Sequence, residues 1–335
     1  MSKQDRENFE LFQLINKTVK KEKPSLPPEI MRIVLEKLTK RQCVIAISKK
    51  KTNEICLVDE NTGNVIRTLE GILHFVSALE ISRDGTRIVA GSTNGMVKVW
   101  NVATGACENT FHGQGDTIYT VTISRDNKLV LVGSWDKILR VWNTTTGACE
   151  RTLGSFSRCI KPLAISDDGR FVVCGAVDKI LRVWDLTTGG LPRTFEGHKN
   201  WIGSVAISRD NNFIVSGSYD ATVRMWDFST GACLKTFEGH SLNVNSVAIS
   251  DDSKSIISKS RDFTMRIWNV TTGECKKFLS YIDPESSISI SRDGCRVASG
   301  LHANAVTIWN TATGECEKNI KVDVEQINLI RVMLI

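Results

Sequence analysis

The residues best suited to chemistry form two matched sets: His198 with Ser216 and Asp220, and His240 with Ser258 and Asp262. A His–Ser–Asp set can activate a hydroxyl for acyl transfer, the imidazole taking the serine proton while the carboxylate holds the ring. Neither serine lies in a G-x-S-x-G elbow, and no oxyanion donor accompanies either set. The same groups, buried and bonded to one another, make a structural network, and that is the expected role. Ten cysteines raise a second chemistry, zinc or disulfide. Five of them, Cys107, Cys149, Cys233, Cys275 and Cys316, follow the same Thr-Gly-Ala/Glu triplet, and no Cys-x-x-Cys pair exists. Copies of one position on separate units lie too far apart to bridge, so packing in a reducing compartment is expected. No metal, no cofactor and no enzymatic activity follow from these residues.

The elements that position them come from a repeat. Trp100, Trp142, Trp184, Trp226, Trp268 and Trp309 stand at steps of 42, 42, 42, 42 and 41 residues. Such a period marks one structural unit copied along the chain. Each copy holds apolar runs of four to six residues, rich in Val and Ile and bounded by Gly, Asp, Asn and Thr turns, which are strands. Four per copy make a sheet too thin to hold its own core, so copies must stack. The fifth copy reads Val205-Ala206-Ile207-Ser208, Phe213 to Ser218, Val223-Arg224-Met225-Trp226-Asp227 and Thr230-Gly231.

From about Cys43 to Met333 this pattern resembles the WD-repeat family. The expected fold is all-β: a seven-bladed WD-repeat propeller over 43–335, with strands A to D in each blade from the axis outwards. Leu57-Val58-Asp59 is read as a copy whose Trp is replaced, with no strand A before it. The run Ile327 to Met333 is expected to supply that strand and close the ring, covering edges that would template aggregation. Glu80 and Arg331, the charged residues at one inner-strand position, are expected to meet at that closure.

The resemblance implies a hydrogen-bonded tetrad of His, Ser, Asp and Trp. Blade five matches with His198, Ser216, Asp220 and Trp226, blade six with His240, Ser258, Asp262 and Trp268. Other blades keep only part of it, such as Asp136 in blade three and Asp178 in blade four. A base recurs in strand C (Lys98, Arg140, Arg182, Arg224, Arg266) and is expected to act between blades rather than on nucleic acid.

The D–A loops and B–C turns share one rim, the top. The bottom turns (Arg-Asp-Gly, Asp-Asp-Gly, Thr-Thr-Gly) are monotonous and are expected to carry little recognition. Top positions vary towards Phe75, Tyr119, Trp135, Lys161, Trp201, Tyr219 and Arg261. Exposed Trp, Tyr and Arg are the material of binding hot spots, so this rim is the expected protein or peptide surface.

Net charge is +6, and residues 1–51 hold 13 Lys or Arg against 6 Asp or Glu, leaving 30 against 31 elsewhere. No apolar run is long enough to span a membrane, and the start lacks a secretory h-region, so a cytoplasmic or nuclear protein without a membrane role is expected. Residues 1–42 form an expected helical extension. Within it, 26–38 resembles the first helix of an F-box through Leu26, Pro27, Glu29, Ile30, Ile33 and Leu38. That resemblance implies an adaptor contact through residues 24–42. Together the two resemblances imply a non-catalytic interaction scaffold, in sharper form a substrate receptor of a cullin-type ubiquitin ligase. The alternative is a WD-repeat subunit of a nucleic-acid-associated complex that uses the basic N-terminal segment.

Overall fold

The computed structural model describes residues 44–49, 54–59, 62–72, 74–112, 116–154, 160–190, 192–280, 288–290, 295–301, 305–321 and 327–333. The chain divides into two compact units, Met1–Arg41 and Gln42–Ile335, and only the second contains described residues.

Unit two is a set of four-stranded antiparallel sheets. Six are built from four consecutive strands each. Blade five, for example, is Ile202–Ile207, Phe213–Ser218, Val223–Asp227 and Cys233–Phe237. A further sheet is composite: Ile327–Met333 pairs antiparallel with Val44–Lys49, followed by Ile55–Asp59 and Val65–Leu69. Its register sets Ala46 opposite Arg331 and Ile45 opposite Val332. The innermost strands touch in a closed cycle that includes Ile327–Met333, which lies between Ile288–Ile290 and Val76–Ile81. One part of the expected fold class is corrected: no helix occurs among the described residues. The helical extension and the F-box-like residues Leu26, Pro27, Glu29, Ile30, Ile33 and Leu38 lie outside them.

The core lies between blades, because a lone sheet cannot bury both faces. Phe195, Leu181 and Val183 of blade four pack with Ile202, Val205, Ile214 and Trp226 of blade five. Strand B is buried along its whole length, whereas strand D shows mostly exposed residues ending in one buried anchor such as Phe237. Glycine in strand B permits close stacking. A Cβ on Gly217 would stand 2.6 Å from Val244 Cγ1, and one on Gly175 would stand 2.7 Å from Ile202 Cγ2. Blade six departs from this, with a fully buried Lys259 at that register.

The strand C bases correct one expectation. Arg140 and Arg182 bond the turn Asp of their own blade, and Arg224 and Arg266 lie over their own blade's Trp rings at 5.8 Å. The bases that cross between blades stand in strand D instead. Arg67 donates to the carbonyls of Ala103 and Thr104, Arg193 to those of Phe228 and Ser229, and Lys235 to those of Val270 and Thr271. Strand D is the outer edge of each sheet, so a long side chain there reaches the neighbouring C–D turn.

Candidate interaction surface

The top rim is assembled by one repeated backbone bond. The residue before the turn Asp, or before Asn94 in blade two, donates its N–H to the carbonyl that opens strand A of the same blade. Thr93 bonds Phe75, Trp135 bonds Thr117, Tyr219 bonds Trp201 and Arg261 bonds Asn243, at 2.8–2.9 Å. This bond brings the variable side chains of loop and turn side by side.

In blade three, Tyr119 and Trp135 lie with ring centroids 5.6 Å apart. In blade five, Trp201 and Tyr219 stack at 5.9 Å with 30° between their planes. Gly203, two residues beyond Trp201, makes room for the second pair; a Cβ there would stand 3.0 Å from the Tyr219 ring. Trp135 is 57% exposed and Trp201 44% exposed. Phe75 is exposed on blade two and Arg261 on blade six. The Lys161 backbone lies in the inner strand Ile160–Ile165, while its side chain is outside the described residues, as is that of Arg331, proposed partner of Glu80.

Two members of the rim were missed from the sequence, the exposed Leu242 and Phe263. Phe263 follows the turn Asp of blade six with φ +63°, a left-handed conformation that disfavours a bulky side chain. The same place holds Gly95, Lys137, Lys179 and Ala221, all with positive φ. Aligning that position across the copies would have shown an aromatic where a glycine is easiest.

Beneath the rim lie the two polar sets. In blade five, Trp226 Nε1 donates to Ser216 Oγ at 2.7 Å, Ser216 Oγ meets His198 Nε2 at 2.7 Å, and His198 Nδ1 meets Asp220 Oδ2 at 2.8 Å. Blade six repeats this through Trp268, Ser258, His240 and Asp262 at 2.8, 2.8 and 2.9 Å. The chain of bonds is consistent when the imidazole is neutral and carries its proton on Nδ1: indole to serine, serine to Nε2, Nδ1 to carboxylate. Each serine is fully buried and has its oxygen committed on both sides, so it cannot meet a substrate. Burial pushes the His240 imidazole below its ordinary value, against the pull of Asp262. Burial alone would raise the Asp220 carboxyl, but bonds from His198, Thr222 and the Lys199 N–H hold it well below the usual carboxylate range.

The bottom of the ring is less plain than its sequence suggests. Arg83 of blade two pairs with Asp167 of blade four and reaches Asp251 of blade six at 2.8 Å. Arg125 meets Asp167 at 2.9 Å, and Arg209 approaches Asp167 and Asp251 at 3.5 and 3.6 Å. These residues occupy equivalent A–B turns of successive blades, and the ring draws the turns together. Their informative feature is the mixture of signs at the residue after the turn serine, with Asp167 and Asp251 standing among Arg83, Arg125 and Arg209.

Among the described residues no cluster of His, Cys, Asp or Glu has the makings of a metal site, and Cys107, Cys149, Cys233, Cys275 and Cys316 are exposed.

Comparison with known families agrees with this architecture. Residues 63–101 and 105–143 match the family model described as WD domain, G-beta repeat. Residues 159–332 match the model described as IFT122 first beta-propeller. No curated protein matches the chain. The second model alone spans more than half of the sequence and continues the repeats of the first, so the chain belongs to the WD-repeat β-propellers, with an IFT122-type propeller match over residues 159–332.

Proposed function

We propose that this protein is a non-catalytic scaffold that holds a protein or peptide partner on the top rim of its propeller. The observation that carries this reading is the recurrence of an exposed tryptophan paired with a tyrosine in blades three and five. Large amphipathic rings held in place by a neighbour lose little conformational freedom on binding, which is why such residues dominate interfaces. Exposed apolar groups grouped on one rim also mark a contact surface.

The test is capture of partners from lysate by the full chain, followed by affinity measurement with the partner obtained. Trp135→Ala and Trp201→Ala should each weaken binding by about 1–3 kcal/mol with the melting temperature unchanged. Bottom-turn changes such as Arg125→Ala should leave binding intact. Stronger loss from the bottom changes would move the site to the other face.

In its finer form, the scaffold selects substrates for a cullin-type ubiquitin ligase in the cytoplasm or nucleus, with residues 24–42 as the adaptor contact. What supports it is the F-box-like run from Leu26 to Leu38. Deleting residues 1–42 should then abolish co-purification of an adaptor while the ring still captures its partner. Retention of the adaptor by the deleted chain would remove the ligase form and leave the scaffold.

A further inference from the structure

The turn carboxylates of the top rim are directed inward. Asp136 is paired with Arg140, Asp178 with Arg182, Asp220 with His198 and Asp262 with His240. The cations beside them face outward: Lys137, Lys179, Lys199 and Arg261 are all exposed. Positive φ at Lys137 and Lys179 turns the chain at the tips of two B–C turns. Exposed carboxylates Glu196 and Glu238 directly follow the outermost strands Arg193–Phe195 and Cys233–Phe237, so they mark the outer margin of the rim. On its inner part, from blade three to blade six, Asp116 is the exposed carboxylate among the described residues.

Charge and apolar surface therefore have an order. The Tyr119–Trp135 pair on blade three and the Trp201–Tyr219 pair on blade five flank blade four, whose turn presents Lys179. Lys137 adjoins the first pair in sequence and Lys199 the second. We infer that this rim selects an extended acidic peptide, with bulky apolar residues on either side of a carboxylate-rich stretch that crosses blade four. The inference rests on the scaffold reading above and specifies the chemistry of its partner. Electrostatic complementarity of this kind sets specificity and association rate. Single-stranded nucleic acid also uses rings and cations, but it needs a basic groove along its backbone. Outside residues 1–51 the chain carries 30 basic against 31 acidic residues, and the exposed rim cations Lys137, Lys179, Lys199 and Arg261 among the described residues stand singly, one to a turn or loop.

The experiment pans a random 12-residue phage library on the full chain and on its Lys137→Glu/Lys179→Glu/Lys199→Glu variant, each checked for an unchanged melting temperature. The full chain should enrich peptides of net negative charge with aromatic or aliphatic residues flanking the acids. A synthetic copy of the winning peptide should bind at least tenfold more weakly to Lys179→Glu, and to Trp135→Ala or Trp201→Ala. Its affinity should also fall as salt rises, because exposed charges are screened. Enrichment of neutral or basic peptides, or full affinity in the Lys179→Glu chain, overturns the acidic-peptide inference and leaves the scaffold reading standing. No enrichment of any peptide, together with no partner lost on Trp201→Ala, overturns both. Displacement of the winning peptide by an oligo-dT probe that binds more tightly makes the rim a nucleic-acid surface and overturns the peptide proposal.

Discussion

Blades five and six hold their turn carboxylate with a histidine, whereas blades three and four hold it with an arginine. In the first pair the His comes from the D–A loop, so the network ties a connection between blades to strands B and C of the blade that follows. In the second pair the strand B acceptor is gone, replaced by Val132 and Cys174. The strand C arginine, which lies over Trp226 or Trp268 in blades five and six, turns onto Asp136 or Asp178 instead. Arg182 does this with two bonds, at 3.1 and 2.6 Å. One carboxylate is thus satisfied by two chemistries of different reach: a neutral network that anchors a loop, and an ion pair confined to one sheet. A partly buried carboxylate must be paired, and the nearest base takes over when the imidazole is absent.

The sharpest way to break the comparison is to remove the ion pair. Arg140→Ala leaves the partly buried Asp136 carboxylate without its counter-ion, held by Ser134 and the Ile138 N–H, and should cost about 3 kcal/mol in urea unfolding. Adding Asp136→Asn should restore most of that loss. No recovery in the double variant would mean that the arginine matters for packing rather than charge.

A smaller cost is expected from the neutral network. Ser216→Ala strips partners from the Trp226 indole and the His198 ring together, at about 1–3 kcal/mol. Hydrogen exchange should show the loss concentrated in loop residues 196–201, whereas Arg140→Ala should loosen the strands of blade three. The same exchange pattern in both variants would dissolve the distinction between loop anchor and sheet anchor.

The cluster at the bottom spans both kinds of blade, since Arg83 links blade two to blades four and six. Its groups are partly solvated, so Arg83→Ala should cost about 1 kcal/mol or less, and the difference should vanish in molar salt. A penalty independent of salt would assign Arg83 a packing role.

The smallest effect concerns pH. Burial holds His240 below its unfolded value of about 6.5, so its contribution is complete above that value and is lost as pH falls through the folded one. Burial alone would raise the Asp136 carboxyl, but bonds from Ser134, the Ile138 N–H and Arg140 outweigh it and leave the group below its ordinary value. Its contribution is therefore lost only as pH falls below about 4. Between pH 7.5 and 5.5 exchange protection should drop around loop residues 238–243 and stay constant in blade three. Equal loss in the two regions would remove the histidine as the cause.

Much of the architecture is legible in the chain because strand formation and turn chemistry are local. The 42-residue step of the tryptophans, the Val- and Ile-rich runs and the Thr-Gly turns each reflect one sheet, and their repetition reflects stacking. The tetrad residues of blades five and six could be named through the family resemblance, because each occupies a fixed offset from its Trp. The rim aromatics Trp135 and Trp201 could be named because they stand at rim positions that vary from copy to copy, with Thr93, Tyr219 and Arg261 at the first and Phe75, Thr117 and Asn243 at the second. Where a strand C base turns is a different matter, because Arg140 and Arg224 share one sequence position and differ only in what the neighbouring loop and strand B offer. Arg83, Asp167 and Asp251 lie 84 residues apart in succession and were read as uniform turns. Only the closed cycle of inner strands makes them neighbours, since ring closure converts equal sequence steps into convergence on one axis. Periodicity specifies the unit and its copies; closure of the ring decides which side chains of distant copies meet.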